Sequence, residues 1–299
     1  MLYRCYAKLN FTLEILRLRD DGYHDLASLV HTVSLADDLR IELANELLTR
    51  VEGLDIDPET NLVARAAERL VSATGRGSRV GAELSLVKRI PAAAGLGGGS
   101  SDAATTLVGL NALWDTRLGL TDLVRLAAEL GSDVPFFIRG GAAVMRGRGD
   151  ELEVLPPLTG QWLVIAVPPH DVLDKTRRLY GSLQPSDFSS GAMTQQAAER
   201  LRNHEQLLFD HLANGFERAA RAVFPGLSDA WSQAEQVCDR RFFLSGAGPA
   251  LFTLATDRAD ARRQLGKLAD SNVVAHAART VKHARASLRF APETRIGYP

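Results

Sequence analysis

Residues 91–101 read Pro91, Ala92, Ala93, Ala94, Gly95, Leu96, Gly97, Gly98, Gly99, Ser100 and Ser101, and they constrain the fold more tightly than any other stretch. They lie between an apolar run at 83–90, which reads as a strand, and a helix-like run at 102–114. A loop so rich in glycine keeps side chains away and lets backbone N–H groups close around an anion. Ser100 and Ser101 are expected to open the following helix, whose N-terminal dipole would face the same point. That arrangement suits a nucleotide phosphate.

Length and charge narrow the setting. The 299 residues suit one large or two medium domains with buried cores. The 35 basic and 36 acidic residues nearly cancel, so no global field gathers nucleic acid or an anionic membrane, and neither is expected as a partner. An anionic ligand would have to be held by local groups. Cys5 and Cys238 form neither a metal-type pair nor a disulfide framework, which favours a reducing cytoplasm. Lys8 and Asn10 interrupt what would be the apolar core of a secretory signal. No uncharged apolar run is long enough to span a bilayer. The expectation is a cytoplasmic protein, monomeric or homodimeric.

Patterning predicts strands at 4–17, 26–34 and 38–43, then a helix at 62–74 capped by Asn61 and stopped by Gly75. A second helix is expected from Thr121 as cap to Gly131 as stop. Near 146–160 the chain turns Arg-Gly-Arg-Gly, then acidic, then Pro156-Pro157, which places a domain boundary there. The domains expected are 1–155 and 156–299. The second should hold a strand at 162–167 and one or two helices within 194–223. A strand pair at 241–245 and 250–255, a helix at 258–268 and strands at 273–279 and 287–290 complete it. The Ser-, Pro- and Gly-rich segment 181–191 is expected to be a mobile loop.

Three chemical readings compete for the glycine loop. A P-loop needs a lysine after its last glycine, and none stands there. A dinucleotide fingerprint needs a third glycine or alanine where Ser100 stands, and a following strand where a second helix is expected. A phosphate cradle of another kinase class fits, with the serine hydroxyls on a phosphate oxygen or on magnesium. A plain helix cap with a flexible lead-in is the structural alternative. His204-Glu205 invites a metal reading, but Leu208 stands where a second histidine would be needed, so no metal site is expected. Lys282, Arg285 and Arg289 read as an exposed basic face.

Three blocks resemble the superfamily of galactokinase, homoserine kinase, mevalonate kinase and phosphomevalonate kinase (GHMP). They are Ala7-Lys8-Leu9-Asn10, Pro91–Ser101 with Asp102-Ala103-Ala104, and Leu244-Ser245-Gly246-Ala247-Gly248. Within it, Gly22-Tyr23-His24-Asp25-Leu26 and the phrase from Leu130 to Phe137 are similar to the 4-diphosphocytidyl-2-C-methylerythritol kinases, as are Thr176 with Tyr180 and Asn214 with Glu217. The resemblance implies an α+β chain of two domains: an N-terminal one like ribosomal protein S5 and a ferredoxin-like C-terminal one. It implies ATP and Mg²⁺ as cofactors and a small-molecule substrate carrying a cytidine diphosphate group, phosphorylated on a hydroxyl.

It also implies residue roles. Asp133 would be the general base and Lys8 its neighbour, keeping it ionised and drawing charge from the reacting oxygens. Without the family, Asp133 reads as a turn residue and Lys8 as a solvated strand end. Asn10 shares the strand face of Lys8 and could bond the substrate. Tyr23 would stack on the cytosine, His24 read its polar edge, and Tyr180 close the other face, with Thr176 nearby. Ser245, Gly246 and Gly248 would join residues 91–101 around ATP. Two departures stand out: Tyr6 replaces a common proline, and Ala247 replaces a common hydroxyl residue.

Overall fold

No glycine or proline occurs between residues 24 and 44, and one strand runs through that whole stretch. The computed structural model describes residues 1–54, 60–75, 81–169 and 172–282. In chain order it holds β1 (Leu2–Asn10), β2 (Thr12–Leu18), β3 (His24–Ala44), β4 (Leu47–Glu52), α1 (Leu62–Thr74), β5 (Gly81–Val87), α2 (Gly98–Leu113), α3 (Leu120–Leu130), α4 (Val134–Arg139), β6 (Ala142–Gly147) and β7 (Glu151–Leu155). There follow β8 (Trp162–Val167), α5 (Lys175–Gly181), α6 (Ala192–Arg202), β9 (Ala213–Asn214), α7 (Glu217–Val223), α8 (Leu227–Cys238), β10 (Phe243–Leu244), β11 (Leu251–Ala255), α9 (Arg258–Lys267) and β12 (Val274–Arg279).

An eight-stranded sheet takes β1 to β7 with β9, and a four-stranded sheet runs β10-β11-β8-β12. One apolar core, with Leu84, Leu107 and Phe136, lies between the first sheet and α1 to α4. A second, with Leu9, Leu29, Ile165 and Phe252, joins the two sheets. A third, with Phe216, Leu227 and Trp231, packs α7 and α8 on the four-stranded sheet. The α+β class that the resemblance implies is what the chain adopts.

The differences from expectation have local causes. The strand expected at 4–17 bends at Phe11 into β1 and β2, both antiparallel to β3. The strands expected at 26–34 and 38–43 are one, because only a register slip separates them. That slip, between Tyr6 and Ala7, changes which core β1 feeds. Tyr3 and Cys5 join the core beneath the helices, whereas Ala7 and Leu9 join the core between the sheets. A regular strand would keep all four on one face. Lys8 and Asn10 thereby come to the glycine-loop side.

Asn61 caps α1 as expected, its side chain accepting the Val63 N–H at 2.9 Å, and Gly75 stops it in the left-handed region. The cap of α3 is Gly119 and not Thr121, since Asp122 reaches back to accept the Gly119 N–H at 3.2 Å. The helix after the glycine loop opens at Gly98, before the serines. Asp133 precedes the short helix α4, where Pro135 fits the first helical turn. The segment 194–223 is interrupted by β9, which pairs parallel with β2. The loop at 181–191 is fastened at Asp187 by Arg218 and at Ser189, whose N–H donates to the Ile15 carbonyl at 2.8 Å. The strand expected at 287–290 lies outside the described residues.

Candidate active site

Three backbone segments meet at the glycine loop. Lys8 N–H of β1 donates to the Leu96 carbonyl at 2.9 Å, and Ala250 N–H of the turn before β11 donates to the Ala94 carbonyl at 3.0 Å. Ser245 Oγ donates to the Gly95 carbonyl at 3.2 Å. Asn214 holds that third segment from below, its Nδ2 donating to the Leu244 and Gly246 carbonyls at 2.9 Å each. Gly97, the cap of α2, sits at φ 70, and a Cβ there would lie 2.8 Å from the Phe137 ring and 3.0 Å from Lys8 Cγ. A glycine is needed both for the backbone angle and for the close approach.

Residues 91–100 line a cavity of about 320 Å³ together with Asn61, Lys88 and Asp102. The first N–H groups of α2 have no partner within the helix, which makes its N-terminus an anion site. Beneath the loop lies a buried charge cluster. Lys88 Nζ is 2.5 Å from Asp37 Oδ2 and 2.7 Å from Asp102 Oδ2, and Asp37 Oδ1 also accepts the N–H groups of Arg89 and Ile90. Burial drives the Asp102 carboxyl up to about 7, with Asp37 adding to the rise and Lys88 opposing it. Burial pulls the Lys88 ammonium down, but the two carboxylates outweigh it and hold it above its ordinary value.

Lys8 is 5% exposed, not a solvated strand end. Its Nζ donates to Asn10 Oδ1 at 2.6 Å and lies 3.5 Å from Asp133 Oδ2. Asn10 Nδ2 in turn donates to Ser28 Oγ at 2.8 Å, which fixes the amide. Gly246 closes over this group at φ 55, where a Cβ would meet Asn10 Oδ1 at 3.0 Å and Lys8 Nζ at 3.2 Å. Gly246→Ala is expected to cost about 1–2 kcal/mol of stability at this left-handed angle and to lower kcat/KM about tenfold, since displacing the ammonium by a fraction of an ångström misaligns it. Steady-state kinetics beside a thermal melt checks this.

The second cavity, of about 1000 Å³, is lined by Tyr23, His24, Ser132, Arg148, Thr176 and Tyr180 among others. The β2–β3 hairpin carries Tyr23 and His24 at its tip. Asp21 accepts the Tyr23 N–H at 3.1 Å, and the Arg19 N–H closes the turn onto the Tyr23 carbonyl at 2.8 Å. The His24 ring stacks on Tyr180 with centroids 4.9 Å apart and on Phe188 at 5.9 Å. Tyr23 is 53% exposed, with the Arg148 guanidinium 3.5 Å from its ring centroid. Burial, with the Asp133 charge adding to it, raises the Tyr180 phenol, which puts Asp133 in electrostatic reach of this cavity.

The expected site residues therefore fall into one region, with exceptions. Ser101 is buried and does not line the nucleotide-sized cavity, whereas Ser100 does. His24, expected to read the polar edge of the base, stacks on Tyr180, expected to close one face of it, so each ring already covers one face of the other. Ala247 packs against the third core. Lys282 is exposed, and Arg285 and Arg289 lie outside the described residues. No group of three or more His, Cys, Asp or Glu able to hold a metal occurs among the described residues. Reading the sequence missed Lys88, Asp37, Arg148 and Lys175. Lys88 and Arg89 fall within the run at 83–90 read as an apolar strand, and Arg148 within the domain boundary expected near 146–160.

Comparison with known proteins bears on this geometry. The model of the GHMP kinases N terminal domain matches residues 61–141, and that of the GHMP kinases C terminal matches 193–273. A 4-diphosphocytidyl-2-C-methyl-D-erythritol kinase of Dehalococcoides mccartyi is 40% identical over 258 residues, covering 86% of this chain and 90% of its own. One of Gloeobacter violaceus is 38% identical over 277 residues, covering 89% of each. A solved 4-(cytidine 5'-diphospho)-2C-methyl-D-erythritol kinase superposes with a TM-score of 0.80 at 34% identity, covering 94% of this chain and 99% of that one. A homoserine kinase of Cytophaga hutchinsonii, at 18% identity and a TM-score of 0.69 over 95% of each chain, shares the fold. This chain belongs to the GHMP kinases and, among them, to the 4-diphosphocytidyl-2-C-methyl-D-erythritol kinase family.

Proposed function

We propose that the protein transfers the γ-phosphoryl group of ATP in line to the 2-hydroxyl of 4-diphosphocytidyl-2-C-methyl-D-erythritol. The observation that carries this is the Lys8–Asp133 pair, 3.5 Å apart, set beside the glycine loop and in reach of the aromatic cavity. Asp133 receives the hydroxyl proton, while Lys8 stabilises the charge that develops on the transferring oxygens. Asn10 fixes the Lys8 ammonium and can bond the acceptor. The loop amides and Ser100 hold the triphosphate, with Ser245, Gly246 and Gly248 closing over it. The first half of the chain, 1–155, supplies the ATP loop and the base, and 156–299 completes the acceptor cavity.

Ser100, which lines the loop cavity, offers a hydroxyl to Mg²⁺ brought in on the phosphates. When bound, the ion neutralises charge on the β- and γ-oxygens. On the acceptor side, Tyr23 offers a ring face to the cytosine once Arg148 moves aside, and His24 offers its ring nitrogens. Tyr23→Ala is expected to raise the acceptor KM on the order of tenfold, since base stacking is worth about 1–3 kcal/mol. The KM for ATP should stay unchanged, and initial-rate kinetics with each substrate varied checks both.

The deciding assay is ADP release from Mg-ATP with and without that acceptor. Acceptor-dependent ADP with a phosphorylated product is expected, and inhibition by a cytidine nucleotide should accompany it. No acceptor-dependent release would end this reading. Release driven by mevalonate, homoserine or a sugar, with no effect of cytidine nucleotides, would move the acceptor to another GHMP class.

A further inference from the structure

Ala93 is the one residue that lines both cavities among the described residues. It is the wall the two cavities share. Its backbone sits at φ 51, a left-handed angle that an alanine holds only when its surroundings fix it. The fixing group comes from the other half of the chain. Lys175, the first residue of α5, donates from Nζ to the Ala93 carbonyl and, at 2.5 Å, to the Gly248 carbonyl. Lys175 also lines the acceptor cavity beside Thr176 and Arg177.

We propose that Lys175 is a positioning residue, an ammonium clasp that fastens the nucleotide loop to the Ser245–Gly248 turn at the wall shared by the two cavities. Both carbonyls belong to segments argued above to surround ATP, so the inference rests on that reading of the cavities. The other backbone ties of the loop act at Ala94, Gly95 and Leu96. Lys175 secures the remaining edge, where the loop meets the acceptor. Charge-assisted bonds from one ammonium to two carbonyls are stronger than neutral ones and set the distance between the segments. A positive charge at this wall also lowers the repulsion between a triphosphate on one side and a diphosphate-bearing acceptor on the other. The sequence gives no hint of this, because a lysine at a helix start reads as a surface charge.

The test uses the full chain with ADP as the probe, and Lys175→Met, Lys175→Gln and Lys175→Arg as variants. Lys175→Met is expected to weaken ADP binding by calorimetry about fivefold, through loss of the charge-assisted bonds. It should lower kcat with the acceptor about thirtyfold, through misalignment across the wall. Lys175→Arg, which keeps the charge and the donors, should recover most of both losses, and Lys175→Gln, which keeps a neutral donor, should fall between. A residue that matters for stability alone would shift the melting temperature without this ordering. ADP binding in Lys175→Met and Lys175→Gln equal to that of the unaltered chain would overturn the clasp. Failure of the unaltered chain to phosphorylate the acceptor would instead overturn the acceptor assignment, and the ADP measurements would still decide the role of Lys175.

Discussion

Asp133→Asn should lower kcat by about 10²–10⁴, the range set by a positioned general base, while ADP binds as before. Asparagine keeps the size of the side chain and can occupy the turn ahead of α4, so the fold has no reason to change. What it removes is a proton acceptor and the negative charge 3.5 Å from Lys8 Nζ. The glycine loop is tied down by backbone bonds from Lys8 N–H and Ala250 N–H, neither of which is made to Asp133. Nucleotide affinity is therefore expected to hold. A second readout does not depend on turnover. The Asp133 charge adds to burial in raising the Tyr180 phenol, so Asp133→Asn should shift the Tyr180 titration downward, part of the way to that of a free tyrosine. An unchanged kcat would remove Asp133 from the chemistry. An unchanged Tyr180 titration would place its side chain away from the acceptor cavity.

Much of the site was legible because glycine and cap residues act locally. Asn61 before α1 and Gly75 after it follow from backbone needs that a few neighbouring residues reveal, whereas α2 opens at Gly98, ahead of the serines expected to start it. The pairing of Lys8 with Asp133 was not available from spacing; only the family resemblance suggested it, and its geometry depends on a register slip between Tyr6 and Ala7. The same slip explains why β3 was divided in two when read from the sequence. Alternation breaks near residues 34–36 without any turn residue, and local patterning cannot tell a bulge from a strand end. Lys88 and Lys175 were missed for a related reason. Each finds its partners on a segment distant along the chain, Asp37 for one and Gly248 for the other.

Lys88→Met carries the largest expected effect on stability, about 3–5 kcal/mol near pH 8, because it strands two buried carboxylates. They are not equally exposed to the loss. Asp37 keeps the N–H groups of Arg89 and Ile90, whereas Asp102 loses its cation and retains the Cys5 thiol as neighbour. Asp102 already sits at about 7 with Lys88 in place, above its unfolded value. A carboxyl raised in the folded state favours folding at low pH and loses that contribution as pH rises through its folded pKa. Removing Lys88 raises it further, so Asp102 stays protonated to higher pH and the stranded charge is relieved by acid. The deficit of Lys88→Met should accordingly shrink between pH 8 and pH 5.5, and denaturant melts at the two pH values measure it. Adding Asp102→Asn to Lys88→Met should restore part of the stability at pH 8 and flatten the pH dependence, since the amide carries no charge to bury. A deficit equal at both pH values would mean that Lys88 supports the loop through packing and not through its charge.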